Sequence, residues 1–308
     1  MTLTEALARA YATNPQLNAE RARQRATDEA VPQSKALERP QITATGTAGA
    51  QATENVARPT PNIGSSTTYP RSVSLTVTQP VFTGFKSDNS IKQAETSIRA
   101  GRETLRNVEQ TILQNAASAY MDVLRAEALV ELNRSNVVFL TETLRATRDR
   151  FNVGEVTRTD VAQAEARLAR GQSDLDTAIS TLQSARANYR QIIGIEPARL
   201  MPGQPVDRLL PPTLEAAIAV ARREHPLILA ASFNVDSAQY GVKVAESNLM
   251  PTVNLQGSLS RSYDAGGGTS VATVSRQDSA SILGVLSIPI YNGGQTYSQV
   301  RQAKESLG

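Results

Sequence analysis

The stretch QPVFTGFKSDNSIKQAE (residues 79–95) returns in altered form as IPIYNGGQTYSQVRQAK (residues 288–304). Each copy passes from a proline and an aromatic residue through a glycine turn into a helix start. Pro80 falls on Pro289 and Gly84 on Gly293, an offset of 209. Further upstream, LTEALARAYATNPQL from Leu3 aligns with LEAAIAVARREHPLI from Leu214. There Pro15 meets Pro226, and Pro40, Ile42 and Gly46 meet Pro251, Val253 and Gly257, an offset of 211. A match held over about 95 residues with its punctuation in register is a duplicated supersecondary unit. We read 1–205 as a first repeat (helix, two strands, long helical hairpin) and 206–308 as a second, shortened one (helix, two strands, start of a long helix). The counterpart of residues 99–199 would fall after Gly308, so the chain is expected to be part of a longer protein.

Between the repeated landmarks the sequence alternates. Ile42, Ala44 and Ala48 oppose Thr43, Thr45 and Thr47, and Val73, Leu75 and Val77 oppose Ser72, Ser74, Thr76 and Thr78. In the second copy Val253, Leu255 and Leu259 oppose Asn254, Gln256, Ser258 and Ser260, with Ile282, Leu286 and Ile288 following. Period-two alternation of this kind makes strands with one apolar and one Ser/Thr face. In a membrane barrel such faces meet lipid and water respectively. Residues 54–70, with Pro59, Pro61, Gly64 and Pro70, and residues 261–278, with Gly266, Gly267 and Gly268, are expected to be irregular, solvent-facing loops. A phosphate cradle at Gly266 to Gly268 is disfavoured, since neither a Lys-Ser/Thr pair nor a helix start follows it.

From Val81 to Glu196 there is no proline. Gly84, Gly154 and Gly194 divide the segment into helices expected over about 86–151 and 156–193. Leu105, Ile112, Ala116, Ala119, Val123, Ala126, Val130, Val137, Leu140, Leu144 and Phe151 follow a heptad, with lapses at Glu109, Asn133 and Thr147. The returning helix carries Val161, Ala164, Leu168, Gly171, Leu175, Ala178, Leu182, Ala185, Tyr189 and Ile192. A sustained 3.5-residue period predicts supercoiled helix packing. Leu113, Ala117, Tyr120, Leu124, Ala128, Val138 and Phe139 lie off that seam and predict apolar surface for a second neighbour.

Composition narrows the function classes. The formal charge is +3, with basic and acidic residues interspersed, so no nucleic-acid footprint is present. There is no cysteine, which removes disulfides and thiolate chemistry, and there is one histidine, His225, aligned with Asn14 ahead of the repeated proline. That placement predicts a helix-turn role for His225. No nucleophile elbow, phosphate loop or paired-histidine metal motif occurs, so neither an enzyme nor a cofactor or metal site is expected. No apolar run is long enough for a membrane-spanning helix, which leaves shorter barrel strands open. The first residues, MTLTEALARA, read as the start of a helix in a mature chain, and no signal peptide lies within the sequence. Heptads alone would suit a soluble periplasmic coiled-coil interaction or adaptor protein without a pore. Against that stands their attachment to two-faced strands, which are too few to stand alone. Four strands per chain need several chains to close, and three chains would supply twelve.

The duplicated unit, the elements QPVFTGFK and IPIYNGGQ, the hairpin tip RFNVGEVTRTDVAQAEARLA and the exit IGIEPARL before PPTLEAAIAVAR together resemble the TolC-type outer-membrane efflux and secretion channel family. The resemblance implies an α+β membrane protein, in which long coiled-coil helices form an α-barrel and four strands per chain join a trimeric twelve-stranded transmembrane β-barrel. It implies a homotrimer set in outer-membrane lipid of a Gram-negative bacterium and extending into the periplasm. Such a channel would partner a periplasmic adaptor and an inner-membrane pump or ABC exporter, and would export drugs, small molecules or proteins. It also implies that Val153, Gly154, Glu155, Val156 and Thr157 form the adaptor-binding tip and that Thr159 and Asp160 belong to the periplasmic gate region. Pro80, Gly84, Pro289, Gly293 and Gly294 are the matching strand-to-helix turns. Glu155 stands where many members of the family carry an apolar residue.

Overall fold

The computed structural model describes residues 1–57, 62–203, 210–263 and 276–307. Its elements run α1 (Leu3–Thr13), α2 (Pro15–Asp28), α3 (Ala30–Ala36), β1 (Gln41–Ala48), β2 (Gln51–Ala57), β3 (Asn62–Thr68), β4 (Arg71–Phe82), α4 (Lys86–Asn152), α5 (Arg158–Ile193), α6 (Leu214–Glu224), α7 (Pro226–Ser247), β5 (Thr252–Tyr263), β6 (Arg276–Ser287) and α8 (Gln295–Glu305). They divide into two compact units, Met1–Arg25 with Gly101–Ala230, and Ala26–Ala100 with Ala231–Gly308. No helix among the described residues is long and apolar enough to cross a membrane.

In the first unit the heptad reading of α4 and α5 accounts for the packing. Ile112, Ala116, Ala119, Val123, Ala126, Val130 and Leu144 are all buried. On α5 the heptad positions from Val161 to Ile192 are buried or half-buried, while nearly all positions between them face solvent. Small residues on the α4 seam let the two helices approach closely, as the alanine-rich composition requires. The pairs Arg148–Glu165 (2.6 Å) and Arg186–Glu127 (2.9 Å) bridge the hairpin at its exposed rims. Exposed ion pairs of this kind contribute at most about 1 kcal/mol each.

The off-seam residues find a second neighbour in α1 at Tyr120. Val138 and Phe139 are open to solvent at 65% and 67%, but Tyr120 is completely buried. It sits in a cluster with Ala6 and Ala10 of α1, Ala116 and Val123 of α4, Tyr189 and Ile193 of α5, and Leu200. Its hydroxyl lies 2.5 Å from the Met201 carbonyl oxygen and accepts the Met201 amide at 3.0 Å. A phenol fits here because its ring fills the space between helices while its oxygen satisfies a backbone segment outside any helix. The Tyr189 ring lies 6.5 Å away, centroid to centroid. Burial raises the Tyr189 phenol above its ordinary pKa, with Tyr120 adding to the shift.

The second unit is built on an antiparallel sheet of order β1-β4-β5-β6. Its register sorts the side chains into rows. Ile42, Val77, Gly257 and Ile282 form one row across the four strands, and Ala44, Leu75, Leu259 and Ala280 the next. On the other face Thr43, Thr76, Ser258 and Ser281 align, as do Thr45, Ser74, Ser260 and Ser279. Hydroxyls of this face bond across strands, Ser258 to Ser281 at 2.8 Å and Ser260 to Ser279 at 2.7 Å. The two-faced strands are therefore in register with one another, and the apolar face stays exposed, with Leu259 at 57% and Ile282 at 79%.

The loop expected over 54–70 is instead largely a hairpin. β2 and β3 pair antiparallel from Gln51↔Thr68 to Ala57↔Asn62. The Gly and Pro content predicts irregular backbone, but the two segments hold a ladder. Pro59, Pro61 and Gly266 to Gly268 lie outside the described residues, while Arg261–Tyr263 and Arg276–Asp278 belong to β5 and β6 rather than to a loop. Tyr120→Phe removes the hydroxyl's bonds to the Met1 and Met201 backbone, while the Met201 amide keeps the Met1 carbonyl at 3.1 Å, so chemical denaturation should register a loss of about 0.5–1.5 kcal/mol; Tyr120→Ala, which also opens a cavity, should cost about 3–5 kcal/mol.

Candidate functional site

The tip of the α4–α5 hairpin is determined by its caps. Beyond Asn152 the chain turns through Gly154, whose φ is +80°. The Gly154 amide bonds to the Phe151 carbonyl and the Glu155 amide to the Arg150 carbonyl, both at 3.0 Å. This pair of bonds is a Schellman motif, which satisfies the last carbonyls of a helix and requires a left-handed residue. In most such motifs an apolar contact joins the positions that Arg150 and Glu155 occupy. Here an ion pair replaces it, Arg150 Nε to Glu155 Oε2 at 3.0 Å. That gives a local reason for the acidic residue at 155.

The returning helix begins with a capping box. Thr157 Oγ1 accepts the Asp160 amide at 3.3 Å, and Asp160 Oδ2 accepts the Thr157 amide at 2.8 Å and the Thr157 hydroxyl at 2.7 Å. The Thr157 hydroxyl, then the Thr157 amide, and last the Arg150 charge hold the Asp160 carboxyl below its ordinary pKa. Between the two caps Val153 exposes 71% of its surface, and Val156 is half-buried. Thr159 is exposed on the first turn of α5. Val153, Gly154, Glu155, Val156, Thr157 and Asp160 thus form one short, doubly capped turn with an apolar side chain projecting from it.

The strand-to-helix turns lie in the second unit. Gly84 has φ +65° and is hemmed in, since a Cβ there would stand 2.7 Å from Met250 Cβ and 3.0 Å from the Ser247 carbonyl oxygen. Gly293 and Gly294 have φ +66° and +84°. Pro80 is not in the turn; it lies inside β4, where the β4–β5 register shifts between Pro80 and Phe82. A proline cannot donate to the ladder, so it sits where pairing is interrupted. Pro289 follows β6 and precedes the turn.

A polar pair at each turn escaped the sequence reading. Thr83 Oγ1 lies 3.0 Å from Ser87 Oγ and accepts the Ser87 amide at 3.2 Å, and at the second turn Asn292 Nδ2 donates to Thr296 Oγ1. Ser87 and Thr296 are both buried. The same 209 offset relates Thr83 to Asn292 and Ser87 to Thr296, so the alignment carried the signal. The caps obey the 211 offset as well. Thr2 caps α1 and Thr213 caps α6; Asn14 Oδ1 accepts amides of α2, and His225 Nδ1 accepts the Leu227 amide of α7 at 3.2 Å. His225 therefore takes the helix-turn role expected of it.

With this geometry in hand, comparison with known proteins places the chain. A family profile described as "Outer membrane efflux protein" matches residues 6–195 and 217–308. The outer membrane efflux protein BepC of Brucella suis biovar 1 is 41% identical over 308 residues, which is all of this chain and 64% of BepC. The outer membrane protein TolC of Escherichia coli K12 is 28% identical over 250 residues, covering 76% of this chain and 49% of TolC. The Campylobacter jejuni CmeC outer membrane channel superposes with a TM-score of 0.81 at 17% identity, over 99% of this chain and 65% of CmeC. The chain belongs to the outer membrane efflux protein family, and the protein's location is the outer membrane. It spans about two thirds of BepC and half of TolC.

Two consequences are measurable. Gly84→Ala meets backbone as well as an unfavourable φ, whereas Gly154→Ala has open space around its new Cβ and bears only the left-handed cost of about 1–2 kcal/mol; thermal melts should rank Gly84→Ala clearly the more damaging. Because its folded pKa is lowered, the Asp160 carboxylate stabilises the tip fully above its unfolded pKa of about 4 and loses that effect as pH falls through the lower folded value. Amide exchange at Thr157 and Asp160, corrected for intrinsic rate, should therefore rise below about pH 4, and Asp160→Asn should flatten that dependence.

Proposed function

We propose that the protein is the outer-membrane exit duct of a tripartite efflux pump or type I secretion system. The observation that carries the reading is the exposed four-stranded sheet with an apolar face, a hydroxyl face and two edges, β1 and β6, that have no strand partner among the described residues. Such edges are stable in lipid only when a neighbouring chain closes them. Head-to-tail pairing of β6 with β1 of the next chain closes a ring, and three copies give twelve strands, an even number within the range of outer-membrane barrels. The apolar face then meets lipid and the Ser/Thr rows line a wet lumen.

The 67 residues of α4, roughly 100 Å long at 1.5 Å per residue, carry the duct into the periplasm. Leu132, Val138 and Phe139, exposed on α4, supply the surface for a second helix of the wall. Residues 1–205 and 206–308 act as two copies of one building unit. The Val153–Thr157 turn is the docking point for a periplasmic adaptor, which links the duct to an inner-membrane pump or ABC exporter. Val153 is the anchor, and the two caps hold it out from the hairpin end. Thr159 and Asp160 belong to the gate region at the start of the returning helix. The protein itself performs no bond chemistry.

Expression with an export signal, extraction with and without detergent, and negative-stain imaging test this reading. A detergent-dependent three-fold cylinder supports it, and a water-soluble rod extracted without detergent overturns it. Val153→Asp should reduce adaptor capture about tenfold, the loss of one modest interface anchor, while leaving the cylinder intact.

A further inference from the structure

We propose that the end of the sheet's apolar face remote from the helices is a binding site for phosphate-bearing lipid headgroups, with Arg71, Arg261 and Arg276 as its cationic groups. The proposal rests on the reading of that face as lipid-facing. By register, Arg71, Tyr263 and Arg276 occupy one row across β4, β5 and β6, and Val73, Arg261 and Asp278 the row before it. Side chains alternate along a strand, so these residues share the face of Leu75, Leu259 and Ile282. The opposite ends of the same strands lead to α4, α7 and α8.

The charge is unbalanced. Asp278 receives Arg261 through two bonds, at 2.6 and 3.1 Å, and Arg276 through two more, at 3.1 and 2.5 Å. One carboxylate thus serves two guanidiniums, and Arg71 has no acidic partner among the described residues. The four groups carry a net charge of about +2 at neutral pH. A cross-strand ion pair alone would explain Arg261 with Asp278. It does not explain two further arginines on the same face, both exposed.

Guanidiniums are costly within hydrocarbon and belong at its boundary, where the aromatic girdle of a barrel also lies; Tyr263 occupies that level. Two neighbouring depressions, of about 520 and 690 Å³, share Val73 and Tyr263; Arg71 borders one and Arg261 the other. The second continues onto Leu75 and Leu259. An amphiphile fits this continuity, with acyl chains on the apolar rows and a phosphate at the arginine fork, whose planar geometry suits phosphate oxygens. A free anion would have no use for the apolar rows.

The test is a native mass-spectrometric titration of the detergent-solubilised full chain with short-chain phosphatidic acid, phosphatidylcholine and inorganic phosphate, alongside flotation with neutral phosphatidylcholine vesicles. Phosphatidic acid should be retained over the other two. Arg71→Gln should weaken its binding about fivefold, the effect of removing one surface cation, and Arg71→Lys should restore most of it. Asp278→Asn should change binding in the opposite direction by releasing both of its arginines. Equal binding by wild type and Arg71→Gln, or equal competition by inorganic phosphate, overturns the proposal. A chain that floats with neutral vesicles yet shows no phosphatidic acid preference overturns this site alone. One that does not float overturns the lipid-facing reading and the site with it.

Discussion

The antiparallel ladder between β4 and β5 is the constraint on which the sheet depends. β1 with β4 and β5 with β6 are separate pairs, and only the match of residues 71–82 to 252–263 joins them. Its register sets Leu75 against Leu259 and Thr76 against Ser258. A slip of one residue would set apolar side chains against hydroxyls along the whole seam. The shift between Pro80 and Phe82 confines the irregularity to the helix-proximal end, where Gly84 is pressed against Met250 and Ser247. The rows above that point are then free to stay continuous across four strands.

A second constraint is polar satisfaction at helix ends. A helix leaves its terminal amides and carbonyls without internal partners, and several helix ends here meet that demand locally. Thr157 with Asp160, Gly154 with Glu155, Thr213, Asn14 and His225 each close one end. Of these, Asn14 recurs as His225, and Thr213 repeats Thr2, at equivalent places in the two halves of the sequence. At the hairpin tip they have a further effect, since two caps separated by a few residues leave the turn little freedom and hold Val153 outward. A site that recognises a partner through one projecting side chain benefits from that stiffness, because less conformational entropy is lost on docking.

Among the described residues no cluster of histidine and acidic side chains is arranged to hold a metal ion. The prominent surfaces are an apolar sheet face, a row of hydroxyls and exposed apolar positions on α4. Each is a surface that a membrane, water or a second chain can cover.

The sequence by itself determined what is local and periodic. Gly84, Gly154 and Gly194 delimited both long helices to within about two residues, the usual uncertainty of a helix boundary, and the heptads their packing faces. Alternation assigned the strand faces, and the aligned prolines and glycines located the turns and the capping role of His225. Gly154 and Asp160 were legible because a cap is set by residues three to five positions apart. The tertiary structure alone decided what depends on partners far along the chain. It named α1 as the neighbour that buries Tyr120 and tied the Tyr120 hydroxyl to Met201. It turned part of an expected loop into the β2–β3 hairpin, placed Pro80 inside a strand, and gathered Arg71, Arg261, Arg276 and Asp278 at one end of one face. The physical reason is range, since hydrophobic period and capping act within a turn or two of the chain, whereas the β4–β5 ladder and the cluster around Tyr120 join segments far apart in sequence and leave no periodic trace in either.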